Sequence, residues 1–150
     1  MTDKTDFTEE EWELVREGPP TAGIVVLTAS SGGSFRESWA MAKAFTEARK
    51  ERGASELLDE IVGESPKVKR YHSPQEAENE GLGLLRDAVA LLEQKATPDE
   101  VDAYKRFTLD VADRVANAHR EKGEIGDVSG AEREAIEKIG ATLNAAGAAG

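Results

Sequence analysis

Four times along this chain a Ser or Thr stands three residues before a Glu and opens an apolar-periodic stretch: Thr8 with Glu11, Ser73 with Glu76, Thr97 with Glu100, and Ser129 with Glu132. That spacing lets the hydroxyl accept from the third helical amide while the glutamate reaches back to the first free amide. Phe7 precedes the first of these caps and Trp12 follows at the fourth helical position, the placement of a hydrophobic staple. Pro74 and Pro98 occupy the first helical position at the second and third starts, where a missing N–H costs nothing. A chain that begins helices four times in this way is expected to be mainly helical.

The apolar residues agree. Ala77, Gly81, Leu84, Leu85, Ala88, Leu91 and Leu92 recur at helical spacing, as do Tyr104, Phe107, Val111 and Val115. Ala135, Ile136, Ile139 and Leu143 form a third stripe, and Phe35, Trp39, Ala42 and Phe45 a fourth. Leu57, Leu58, Ile61 and Val62 predict a short helix ending at Gly63. These faces need partners, and the available partners are one another. The expectation is an all-α bundle of six or seven helices over residues 7–143, with a polar arm at 1–6 and a frayed tail at 144–150 that has no side chain able to anchor it.

One passage resists. Gly18-Pro19-Pro20 should stop the first helix after about ten residues, and Ala22 to Gly33 then reads Ala-Gly-Ile-Val-Val-Leu-Thr-Ala-Ser-Ser-Gly-Gly. Taken locally, residues 24–28 look like a buried strand leading through a Ser/Gly turn into a helix at Phe35. Strand, Gly-rich turn and helix is the local grammar of a phosphate site, and it makes Ser31, Gly32, Gly33 and Ser34 candidate anion ligands. A simple interhelix turn is the alternative reading of the same residues. No GxxxxGK[ST] or GxGxxG is present, and one strand cannot make a sheet. The passage is therefore expected to be a central buried helix, with Pro19 or Pro20 in its first turn.

Charge narrows the function. With 19 basic and 30 acidic residues the formal charge is −11. Such a chain is repelled by phosphate backbones and anionic lipid, so nucleic-acid and membrane-surface roles are disfavoured. There is no cysteine, which removes disulfides, thiolate metal sites and cysteine nucleophiles. No apolar run approaches the roughly 20 residues of a membrane span, and the polar start Met1-Thr2-Asp3-Lys4-Thr5-Asp6 lacks a signal-peptide core. A cytoplasmic protein acting through a protein partner is expected.

Two corners of the chain are alike. Gly33-Ser34-Phe35-Arg36-Glu37 and Gly130-Ala131-Glu132-Arg133-Glu134 share G-x-x-R-E, and each opens an apolar-periodic helix after a Gly-containing loop. They fit two helix–loop–helix units in pseudo-symmetric arrangement. From Tyr104-Lys105-Arg106-Phe107, through Val111–Ala116, to Val128-Ser129-Gly130-Ala131-Glu132, the chain resembles the TerB-like helical family, named for a tellurite-resistance protein. Phe7–Trp12 and Pro20-Thr21-Ala22-Gly23 are similar to a less characterised branch of it. The resemblance implies a bundle with paired corners, a stress-response or interaction role without catalysis, and acidic loop residues suspected of binding divalent metal. This chain carries Gly126-Asp127-Val128-Ser129 at its second corner, in place of the usual Asp-Gly pair before the helix start.

Glu124, Asp127, Glu132 and Glu134 surround the second corner and are the candidate ligands of a divalent cation such as calcium or magnesium. A solvated loop, with Glu132 serving as a capping residue, is the alternative. Asp110, Asp113 and Asn117 share one helical face, as an acidic docking strip or as ordinary solvated surface. His72 and His119 are the only histidines, and no HExxH or nucleophile elbow accompanies them. The aromatic residues, Trp12, Trp39, Tyr71 and Tyr104 among them, are expected in the core, with a ligand pocket around Trp39 as the alternative.

Overall fold

The computed structural model describes residues 4–29, 43, 45–47, 56–63, 73–121 and 130–148. A 3-10 turn at Lys4–Asp6 leads into α1 (Glu9–Ala29), followed by α2 (Glu56–Gly63), α3 (Pro74–Lys95), α4 (Pro98–Glu121) and α5 (Gly130–Ala148). Residues 45–47 are helical as well, inside the stretch expected to form a helix from Phe35. No strand occurs among the described residues, and the fold is an all-α bundle.

Three of the four expected starts fall within the described residues; each has the hydroxyl-to-amide bond, and the two threonine starts have the reciprocal glutamate bond as well. Glu11 N–H donates to Thr8 Oγ1 at 3.1 Å and Thr8 N–H to Glu11 Oε1 at 2.9 Å. Thr97 and Glu100 repeat the exchange at 3.0 and 3.2 Å. Ser73 accepts from Glu76 N–H at 3.1 Å ahead of Pro74. The Phe7 and Trp12 rings meet with centroids 5.8 Å apart, completing the staple. Ser129 lies outside the described residues, although α5 begins at the next residue.

The expected stop at Gly18-Pro19-Pro20 is absent. Helix α1 runs 21 residues with both prolines inside it. The rule that proline ends a helix has a specific cause: the ring removes the N–H that would bond the carbonyl four residues back, and it crowds that carbonyl. For Pro19 the orphaned acceptor is the Val15 carbonyl. In this fold Tyr104 of α4 supplies the missing donor, its hydroxyl donating to Val15 O at 2.6 Å. Tyr104 and Val15 are both fully buried, so water is not the partner. Gly18 clears the path, since a Cβ there would sit 2.0 Å from the Tyr104 hydroxyl oxygen. The gap left by Pro19 is thus filled from a helix almost ninety residues away in sequence.

Continuity through the prolines gives α1 its position. Its first half is one-sided, with Trp12 and Val15 buried and Glu9, Glu10 and Glu13 exposed. From residue 18 to residue 26 every residue is buried. The passage that looked locally like a strand is therefore the central helix, enclosed by α3, α4 and α5, while α5 also packs on α3 and α4 and α2 lies on α4. Close approach of α3 is permitted at Gly81, where a Cβ would come within 2.6 Å of Val25 Cγ2 and 3.1 Å of Thr21 Cγ2. Leu85, Leu92, Ile139 and Leu143 lose essentially all their surface to the core. Each such side chain contributes roughly 1.5–3 kcal/mol.

Within the arm at 1–6, residues 4–6 form a turn, and Phe7 beside it is buried. At the other end, Leu143 is fully buried and the backbone of α5 is helical to Ala148, inside the stretch 144–150 expected to fray.

Removing the hydroxyl or closing its path should be costly. Tyr104→Phe leaves a buried carbonyl without a partner and should lower stability by about 1–3 kcal/mol. Gly18→Ala drives a methyl into the phenol and should lower it by about 1–3 kcal/mol. Denaturant unfolding at equilibrium measures both, and an unchanged midpoint in either would show that the gap is not bridged this way.

Candidate functional site

The residues proposed from sequence as ligands are distributed unevenly over the described structure. Ser31, Gly32, Gly33 and Ser34 lie outside the described residues, as do Glu124 and Asp127. Glu132 is in the first turn of α5, with its side chain outside what is described. Glu134 is exposed, with its carboxylate 3.6 Å from Lys138 Nζ one turn on. Residues 24–28, which the phosphate-site reading requires as a strand, are helical. His72, Trp39 and Tyr71 lie outside the described residues, and so does the His119 side chain. Trp12, Phe45 and Tyr104 are core residues, as their spacing predicted. No group of three or more His, Asp or Glu side chains is arranged to hold a metal ion among the described residues.

The polar side chains of the core serve the main chain. Tyr104 donates to Val15 O, and Thr108 donates to Tyr104 O at 2.8 Å. The nine-tenths-buried Glu100 carboxylate accepts from Thr97 N–H. Burial pushes the Tyr104 phenol far above its ordinary value, so the hydroxyl remains a donor under all ordinary conditions.

Charged side chains mostly tie helices together. Lys138 Nζ on α5 contacts Glu78 Oε1 on α3 at 2.6 Å, and this hydrogen bond holds the ammonium above its ordinary range. Arg114 is paired with Asp110 at 2.7 Å and also with Glu47. Asp110 is therefore engaged within the fold, while Asp113 is exposed and the Asn117 side chain is outside the described residues. Lys95, at the end of α3, fastens the N-terminal turn. Its ammonium donates to Asp6 O and to Glu11 Oε1, each at 2.9 Å, and lies 5.6 Å from the Phe7 ring centroid. The Thr8 backbone N–H, with Lys95 next, holds the Glu11 carboxyl below the ordinary carboxylate range.

A recess opens in the angle between α3 and α4. It is an open depression of about 280 Å³ lined by Glu93, Ala96, Pro98, Val101, Asp102 and Lys105. The two-residue connection Ala96-Thr97 creates the angle: Ala96 ends α3 by donating to Leu92 O at 2.7 Å, and Thr97 caps α4 immediately afterwards. Pro98, Val101, Asp102 and Lys105 then share one face of α4 by their i, i+3 and i+4 spacing. Lys105 Nζ stands 3.9 Å from Glu93 Oε1, an ion pair without hydrogen-bond contact. Sequence reading did not find this group. The available signal was a one-turn cluster of opposite charges just after a capped Thr-Pro corner, but only the interhelix angle brings Glu93 to it.

No protein-family model, curated protein or solved structure matches the chain. No helix among the described residues is long and apolar enough to cross a membrane.

Glu11 gives a pH signature. A carboxyl held low in the folded state contributes stability above the ordinary glutamate range, and that contribution is lost as pH falls through the folded-state value. Thermal midpoints measured from neutral to acid pH should fall less steeply in Glu11→Gln than in the parent chain. Parallel curves would show that the Thr8–Glu11–Lys95 cluster carries no such linkage.

Proposed function

We propose that the chain is a non-enzymatic, TerB-like helical interaction module, cytoplasmic and engaged in a stress response, that presents an acidic surface to a basic protein partner. The observation that carries this reading is the division of labour among its polar groups. Tyr104, Thr108 and Glu100 hold main chain inside the bundle, and Lys95, Arg114 and Lys138 brace one segment against another. Carboxylates in excess face outward on a chain of net charge −11. A surface of that sign steers a basic partner and speeds its encounter.

Glu80 and Asp87 sit two turns apart on the exposed side of α3. Charge reversal at both, Glu80→Lys with Asp87→Lys, should change stability by no more than about 0.5 kcal/mol. It should abolish recovery of a basic partner that the parent chain retains at low salt and releases at high salt. Retention of the same partner by the reversed variant, with the same salt dependence, would contradict the reading.

A further inference from the structure

We infer that the recess between α3 and α4 is a binding site for a small zwitterion of amino-acid type. It offers three kinds of surface in one place: an ammonium, two carboxylates, and an apolar floor of Ala96, Pro98 and Val101. Lys105 decides the anionic half of the ligand. Its side chain is only 16% exposed, and among the described residues its ammonium has a carboxylate at 3.9 Å and no hydrogen bond. An ammonium so enclosed favours an oxygen anion at contact distance, since charge-assisted hydrogen bonds are the strong ones. The Glu93–Lys105 separation leaves both groups with capacity for a further partner.

The carboxylates decide the cationic half. A simple anion on Lys105 would also face Glu93, and Asp102 lines the same recess. On a chain this acidic, an anion alone is repelled. A ligand carrying its own ammonium beside its carboxylate turns that repulsion into attraction, with the ammonium set against Glu93 and Asp102. Size points the same way, for about 280 Å³ is just below the roughly 300–1,000 Å³ of drug-sized ligand sites and suits only a small molecule. The floor then receives a short apolar side chain.

The test uses the full chain, nitrogen-labelled, with backbone amide shifts followed at residues 96–105. L-Alanine is the probe, and propionate and ethylamine carry one charge each. Alanine should give saturable shifts confined to that corner in the millimolar range, with neither single-charge analogue matching it. Lys105→Met keeps the aliphatic stem and should raise the half-saturation concentration about tenfold or more, the loss of one charge-assisted hydrogen bond. Asp102→Asn, at an exposed position, should weaken alanine binding while leaving the thermal midpoint unchanged. Absence of saturable shifts with alanine overturns the inference. So does equal binding of propionate or ethylamine, or alanine binding unchanged in both variants. Glu80 and Asp87 are not among the residues lining the recess, so loss of zwitterion binding and loss of the basic partner are separately observable.

Discussion

One buried hydrogen bond ties the path of α1 to the packing of the bundle around it. Pro19 deprives the Val15 carbonyl of its helical partner deep in the core, and Tyr104 restores one at 2.6 Å. An unpaired buried carbonyl costs on the order of 1–3 kcal/mol, a sizeable share of the 5–15 kcal/mol typical of a whole domain. Three residues cooperate in the solution: Pro19 opens the gap, Gly18 leaves the passage, and Tyr104 crosses it. None of the three is explained by its own helix. The bond also pins α4 to the middle of α1, so the local repair and the tertiary packing are one event.

The consequences spread outward from that junction. An uninterrupted α1 can be solvated along one side in its first half and enclosed in its second, and so can meet α3, α4 and α5 together. Gly81 lets α3 approach the enclosed half closely. At the other end, Lys95 gathers the Asp6 carbonyl, the Glu11 carboxylate and the Phe7 ring, joining the capped start of α1 to the end of α3. Such exposed pairs are individually weak; their value lies in setting which end of each helix meets which. The α3–α4 corner follows from the short Ala96-Thr97 connection, and its charged recess is a by-product of where that corner places Glu93 and Lys105.

Much of this was legible in the residues, and the division is physical. Capping boxes are local, so Thr8–Glu11 and Thr97–Glu100 could be read directly from spacing, and the Phe7–Trp12 staple with them. The helical state of residues 24–28 followed from the want of partner strands, a whole-chain argument. The expected stop at Gly18-Pro19-Pro20 is absent because the donor that fills the gap left by Pro19 comes from residue 104, and no local rule contains it. Tyr104 was placed in the core by its periodicity, but its hydroxyl's task was not visible from that pattern. The recess was hidden for the same reason, since it needs the angle between two helices. The corners at 30–34 and 122–129, where anion and metal ligands were expected, lie outside the described residues.

The most direct measurement of the central claim is a double-mutant cycle between Tyr104→Phe and Pro19→Ala, read by denaturant unfolding. Pro19→Ala returns an amide N–H to bond the Val15 carbonyl, so the tyrosine hydroxyl becomes redundant. The cost of Tyr104→Phe should then fall by about 1 kcal/mol or more relative to its cost in the parent chain. Equal costs in the two backgrounds would mean that the hydroxyl and the proline act independently, and that something else carries α1 through its prolines.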